Sequence, residues 1–188
     1  NTQIADTLPP CVGKYSAETW SNCYGSVSLL AENEFKGDKY IGEWKNGKFN
    51  GRGTYYYLAE NKSKGDKYVG EWKNGEMFGL GTYYFLANNE FKGNIYFGEH
   101  NNGKPNGQGT YTFGPQSKFA GDKYMGEVKE GRPHGRGIYQ FSNGKKYVGE
   151  FKNGLTIGIG TLTFEGLQQF SGDIYVGEVV GGEPNGRG

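Results

Sequence analysis

Polar and apolar residues alternate along much of this chain with the two-residue period of a β-strand. Tyr40, Gly42 and Trp44 fall on one side of such a segment, and Ile41, Glu43 and Lys45 on the other. A few residues on, Gly51, Gly53 and Tyr55 share one face of a second strand, with Thr54 and Tyr56 on the opposite face. Between the two lies Asn46-Gly47, a pair that accepts positive φ and reverses the chain. Asn74-Gly75, Asn102-Gly103 and Asn153-Gly154 repeat the signal. No segment has helical spacing, so the pattern predicts hairpins throughout.

The hairpin recurs. Gly37-Asp38-Lys39-Tyr40-Ile41-Gly42-Glu43-Trp44-Lys45-Asn46-Gly47 returns nearly unchanged from Gly65 to Gly75. The Tyr40 position is refilled by Tyr68, Tyr96, Tyr124, Tyr147 and Tyr175, at steps of 28, 28, 28, 23 and 28 residues. The second-strand pattern Gly51-x-Gly53-x-Tyr55 recurs from Gly79, Gly107, Gly135 and Gly158, with Leu162 in the last Tyr position. Residues 37–188 therefore hold six repeats, the last ending at Gly186-Arg187-Gly188. Either residues follow in the native protein, or these glycines form an exposed edge. Residues 20–36 read as a half-repeat cap with its connector, with Cys23 and Gly25 in second-strand glycine positions. Residues 1–19 are an N-terminal leader.

Glycine in a strand weakens it unless something covers the bare backbone. Rings in the Tyr40 and Trp44 positions are expected to lie over neighbouring glycines, and a larger residue at Gly51 or Gly53 to lift them off. A lone hairpin is marginal in water, so stability must come from stacking one on the next. The expected architecture is all-β: an elongated, twisted single antiparallel sheet of stacked hairpins, about 60 Å long at ~4.8 Å per strand. The longer connectors place Phe35, Phe91, Phe119 and Phe170 two residues before the next repeat. These rings either fold back over a sheet edge or contact a partner.

Composition agrees with thin β-structure: 35 glycines, 15 tyrosines and 12 phenylalanines, with only 34% of residues apolar. A net charge of +1, with signs alternating at short range, argues against nucleic acid as partner. It also argues against membrane binding, and no apolar run is long enough for a transmembrane helix. No signal peptide is visible, but the chain begins at Asn1 rather than Met, which fits a removed leader or a trimmed end. Cys11 and Cys23 are the two cysteines, both outside the repeats. They either form a disulfide closing a loop of about 13 residues, stabilising by roughly 3 kcal/mol, or are reduced, partly buried thiols. An oxidised pair implies export to the periplasm or beyond; a reduced pair implies the cytoplasm.

The recurring Tyr-x-Gly-Glu-Trp-x-x-Gly-x-x-x-Gly-x-Gly-x-Tyr, met by Tyr40 to Tyr55 and Tyr68 to Tyr83, resembles the MORN repeat. His100, Val128, Phe151 and Val179 depart from it in the Trp position, as do the 28-residue steps. The leading cysteine pair looks like that of exported bacterial members. The resemblance implies an elongated antiparallel sheet that binds partners or self-associates along an aromatic groove, and no single catalytic activity goes with it.

Catalytic chemistry is hard to place. The Glu series from Glu43 to Glu178 would sit about 9.6 Å apart, too far for one metal ion. Each is expected to accept hydrogen bonds within the hairpins, with partner binding as the other reading. His100 and His134 recur beside no nucleophile. Gly42-x-x-x-x-Gly47-Lys48 imitates a P-loop, but Phe49 follows where Ser or Thr is needed. No cofactor or metal is expected. The expected function is a non-enzymatic scaffold that binds a protein or peptide segment, or another copy of itself. The proposed groove residues are Tyr40, Trp44, Tyr68, Trp72, Tyr96, Tyr124, Tyr147, Phe151 and Tyr175. Lipid headgroup binding and glycan binding by the aromatic ladder are the alternatives.

Overall fold

The computed structural model describes residues 8–30, 33–165 and 171–186. Its strands are β1 (Cys23–Ser28), β2 (Lys39–Lys45), β3 (Lys48–Tyr56), β4 (Lys67–Lys73), β5 (Glu76–Tyr84), β6 (Ile95–Asn101) and β7 (Lys104–Thr112). They continue as β8 (Lys123–Lys129), β9 (Arg132–Gln140), β10 (Lys145–Lys152), β11 (Leu155–Phe164), β12 (Asp173–Val180) and β13 (Glu183–Pro184). All thirteen form one sheet in strict chain order, every neighbour antiparallel, and no helix occurs among the described residues. The all-β, single-sheet expectation is met.

The turns form where Asn-Gly allows them. Asn46, Asn74, Asn102 and Asn153 adopt φ of 50°, 55°, 50° and 53°, and the following glycines are also positive. Each turn also holds its neighbour. The N–H of Gly75 donates to Phe49 O, Gly103 to Met77 O, Gly131 to Pro105 O and Gly154 to Pro133 O, always on the hairpin before.

Register aligns like with like across the sheet. One row of paired positions is Gly42, Gly53, Gly70, Gly81, Gly98, Gly109, Gly126, Gly137 and Gly149. Beside it runs a row of tyrosines from Tyr40 through Tyr55, Tyr68, Tyr83, Tyr96, Tyr111, Tyr124 and Tyr139 to Tyr147. The first-strand tyrosines lie down on the glycines. A Cβ built on Gly53 would fall 2.2 Å from the Tyr40 hydroxyl oxygen, and one on Gly81 would fall 2.1 Å from that of Tyr68. The core is this single ring-covered face; β-branched residues such as Ile41, Thr54 and Val69 form a paired row on the other.

Two expectations need correction. Gly51 is not covered by a ring. Gly42 pairs with Gly53 and Trp44 with Phe49, so Glu43 alone spans Asn50, Gly51 and Arg52 in a bulge. Gly51 takes φ 78° there, and its missing Cβ would lie 2.0 Å from the Glu43 carboxylate. Gly79, Gly107 and Gly135 repeat the arrangement under Glu71, Glu99 and Glu127, and Glu127 accepts the Arg136 N–H at 3.0 Å. Nor do Trp44 and Trp72 supply the ring atoms nearest to Gly42, Gly53, Gly70 and Gly81, which come from Tyr40 and Tyr68. Trp44 stands edge-on to Tyr40 at 5.2 Å and Trp72 edge-on to Tyr68 at the same spacing.

At the N-terminus the leader closes the sheet edge. Pro9 O accepts the Tyr24 N–H and Tyr24 O accepts that of Cys11. Cys11 and Cys23 are joined in a disulfide, their Cα atoms 4.9 Å apart. Trp20 is buried over Gly25, playing the part that tyrosine plays in the repeats.

Gly81→Ala should destabilise the protein by about 3 kcal/mol, since the new methyl must displace a buried ring. Gly75→Ala, with open space but φ 93°, should cost about 1 kcal/mol through backbone strain alone. Urea unfolding of the two variants checks the order. Reduction of the Cys11–Cys23 bond should remove about 3 kcal/mol from the cap. Hydrogen exchange should then quicken in β1 and β2 and stay unchanged from β6 onward.

Candidate binding furrow on the aromatic face

The rings proposed from sequence form the floor of this face and lie within it. Tyr40, Tyr68, Tyr96, Tyr124 and Tyr147 are 0% exposed, and Trp44, Trp72 and Phe151 are buried with them. Tyr175, at the last complete strand, is half-buried. The tyrosine hydroxyls are all used in one way: Tyr40 donates to Glu43 O at 3.0 Å, Tyr68 to Glu71 O at 3.2 Å and Tyr96 to Glu99 O at 3.0 Å. Tyr124, Tyr147 and Tyr175 donate likewise to Glu127, Glu150 and Glu178. The ring thus covers the glycine pair while its hydroxyl satisfies a carbonyl at the bulge. Burial raises the pKa of the Tyr40, Tyr68, Tyr96, Tyr124 and Tyr147 phenols, that of Tyr124 to about 12.

In the first two repeats the Trp position ties the unit to the one before. Trp44 Nε1–H donates to Gly25 O at 3.1 Å and Trp72 Nε1–H to Gly53 O at 3.3 Å. Trp72 stands edge-on to Tyr40 as well as to Tyr68, and His100 likewise to Tyr68 and Tyr96. His100 is 3% exposed, and burial lowers its pKa to about 4, so the ring sits in this position uncharged.

A second device escaped the reading of the sequence, although its residues recur in plain view. Asp38, just before β2, is fully buried and accepts three hydrogen bonds: the Tyr55 hydroxyl at 2.7 Å and the Leu58 and Ala59 N–H groups at 2.6 and 2.7 Å. It thereby clamps the second-strand tyrosine to the connector that follows. Asp66 holds Tyr83, Leu86 and Ala87 in the same way, and Asp122 holds Tyr139 and Ser142. These charge-assisted bonds make a buried carboxylate tolerable. The signal available was an acid two residues before every repeat tyrosine, broken at Asn94 and Lys145.

Both breaks have structural effects. Asn94 accepts the Gly114 N–H at 2.7 Å, but the Tyr111 hydroxyl turns away to donate to Gly131 O at 2.7 Å. Lys145 meets Leu162, which has no hydroxyl, in the matching place. Its Nζ reaches across to Gly182 O at 2.9 Å, while Thr156 Oγ1 accepts the Gly182 N–H at 2.7 Å. The turn after β12 is thereby drawn over the start of β10.

Between these two departures the aromatic face opens into a cavity of about 670 Å³. Hairpin turns at Gly131, Asn153-Gly154 and Gly181-Gly182 line it together with Phe85, Phe91, Phe113, Phe119 and Phe141. Of the nine proposed groove rings, only Phe151 reaches its lining. Phe91 and Phe119 pack against Phe85 and Phe113, at 6.3 and 5.4 Å between centroids, yet remain 49% and 43% exposed. They thus fold back onto neighbouring rings while leaving a face open to solvent. Phe35 is likewise exposed, and Phe170 lies outside the described residues.

An open array of identical hairpins, each bonded only to its neighbours and sharing one furrowed aromatic face, is a repeat scaffold. Its family follows from the repeat itself. A scan against family profiles matches the MORN repeat at residues 40–57, 68–85, 96–118, 124–146, 147–166 and 175–188, more than half of the chain, which therefore belongs to the MORN-repeat family. Such repeats generally serve as scaffolds for interactions with proteins or membrane lipids. A comparison with curated protein sequences found no significant match.

The depressed His100 pKa has a consequence for stability. The unfolded imidazole titrates near 6.5 and the folded one near 4, so between these values the unfolded chain binds more protons. The stability that neutral His100 contributes is complete above pH 6.5 and is lost as pH falls toward 4, by up to about 3 kcal/mol. His100→Phe should lessen the loss of stability between pH 6.5 and 4 relative to the parent protein, measured by urea unfolding across that range.

Proposed function

We propose that this protein is a non-enzymatic interaction scaffold that captures a protein segment in the furrow of its aromatic face. The observation that carries the reading is the cavity of about 670 Å³, set on a rigid ladder and rimmed by half-exposed phenylalanines. That size and lining suit large side chains from a partner. Aromatic rings held in place by a scaffold lose little entropy on binding and make good anchors. The fully buried first-strand tyrosines support the furrow from beneath; the contact surface is the rim.

Two further points support this reading over the alternatives. A concave site receives a projecting segment more readily than it receives a flat bilayer. Sugar stacking needs open ring faces, whereas the tyrosine faces lie against glycine. We also propose that the protein works in an oxidising compartment, on the strength of the Cys11–Cys23 disulfide.

The double variant Phe113→Ser/Phe141→Ser removes two rim rings that pack on Tyr111 and Tyr139, while the first-strand tyrosines and their hydroxyl bonds stay in place. It should retain cooperative unfolding and lose capture of partner proteins, or self-association, in parallel affinity purification and light scattering. Retention of the same partners and the same mass by the variant would overturn the reading.

A further inference from the structure

The furrow is regular except in one place, and that place points to the kind of segment it accepts. In three repeats the second-strand tyrosine and the aromatic residue two positions on lie close together. The centroid spacings are 4.7 Å for Tyr55–Tyr57, Tyr83–Phe85 and Tyr139–Phe141 alike, with the rings steeply inclined. In the third repeat Tyr111 and Phe113 stand 6.1 Å apart and nearly parallel, at 19°. The cause is the change of one atom type. Asp38, Asp66 and Asp122 each offer a carboxylate oxygen to the tyrosine hydroxyl, whereas Asn94 already uses its carbonyl oxygen on Gly114. Tyr111 swings to Gly131 O, and the space it leaves beside Phe113 and Asn94 belongs to the cavity.

The charges around that cavity are one-sided. The chain as a whole is nearly balanced, with 21 Lys and Arg against 20 Asp and Glu. The charged residues lining the cavity are Lys118 and Arg132, both exposed, with no Asp or Glu among them. Glu183, close to the far wall, is taken up by Lys145. Lys118 Nζ stands 4.9 Å from the centre of the Phe119 ring, so a cation sits at the lip of an aromatic pocket.

We propose that the cavity between Asn94 and Gly182 is the specificity site of the scaffold. Its ligand is a partner segment that places one or two large apolar side chains beside Tyr111, with acidic residues flanking them to meet Lys118 and Arg132. The assignment rests on the furrow being the binding surface and adds where along it the partner is read and by what chemistry. The apolar anchors provide affinity by leaving water. The two rim cations discriminate between partners by sign and speed association more than they tighten it. In the two repeats before it, Asp38 and Asp66 clamp Tyr55 and Tyr83.

The test uses the whole chain and a random peptide library displayed on phage. Selected peptides should combine Phe, Trp, Tyr or Leu with Asp or Glu a few positions away. The best of them, labelled with fluorescein and measured by anisotropy, should bind Lys118→Glu/Arg132→Glu about tenfold more weakly. Asn94→Asp restores the carboxylate found in the other repeats, so it should fold at least as well as the parent and lose most of the binding. Failure to select peptides, selection of peptides without acidic residues, or binding indifferent to both variants would overturn the assignment. So would loss of binding to phosphatidylserine–phosphatidylcholine vesicles, rather than to peptides, in the same variants. If Phe113→Ser/Phe141→Ser abolishes peptide binding while Asn94→Asp and the charge reversal do not, the furrow remains the binding surface and this assignment alone fails.

Discussion

Everything in this protein depends on aromatic rings lying on bare main chain. A strand pair with glycine opposite glycine, as at Gly42 and Gly53, has no side chains of its own to bury. The ring of Tyr40 fills that place, and its hydroxyl ends at the Glu43 carbonyl that the bulge leaves available. Burial of the ring, satisfaction of a backbone acceptor and accommodation of the bulge are thus a single arrangement. Because that arrangement recurs down the sheet, a chain with few aliphatic residues holds thirteen strands in order. The edge-on contacts of Trp72 to Tyr40 and Tyr68 then join one unit to the next.

The fold was legible because period-two alternation, Asn-Gly turns and strict repetition all pointed the same way. Less legible was why each glycine is there. Gly51 and Gly53 look alike in sequence, yet one serves a bulge beneath a carboxylate and the other a ring. Only the register slip between Gly42 and Trp44 separates them, and a slip of that kind leaves no mark in the alternation. The aspartate clamp was hidden for a different reason. Its partners, Tyr55 and the Leu58 and Ala59 amides, lie about twenty residues further along, and a charged residue in a polar stretch reads as a solvated one.

The candidate site shows the same limit. Recurrence singled out Tyr40, Tyr68 and their equivalents, and recurrence is a signature of architecture: these rings are where the array is most uniform and most buried. The opening in the aromatic face lies where uniformity fails, at Asn94 and Lys145. In a repeat protein the consensus describes the frame, and departures from it differentiate one stretch of surface from another.

The turn and indole bonds between successive units have a sense of direction. The indole of Trp72 and the turn amide of Gly75 both donate to the hairpin before them, and the same holds for Gly103, Gly131 and Gly154. The turn amide and indole donors of a unit therefore find their acceptors already in place once its predecessor is formed, while those of the first unit find them at Trp20 and Gly25 of the cap. Such a ladder is assembled most easily in the order in which a ribosome releases it. Gene duplication can lengthen it toward the C-terminus without orphaning a turn amide, whereas growth at the other end would require the cap to be remade.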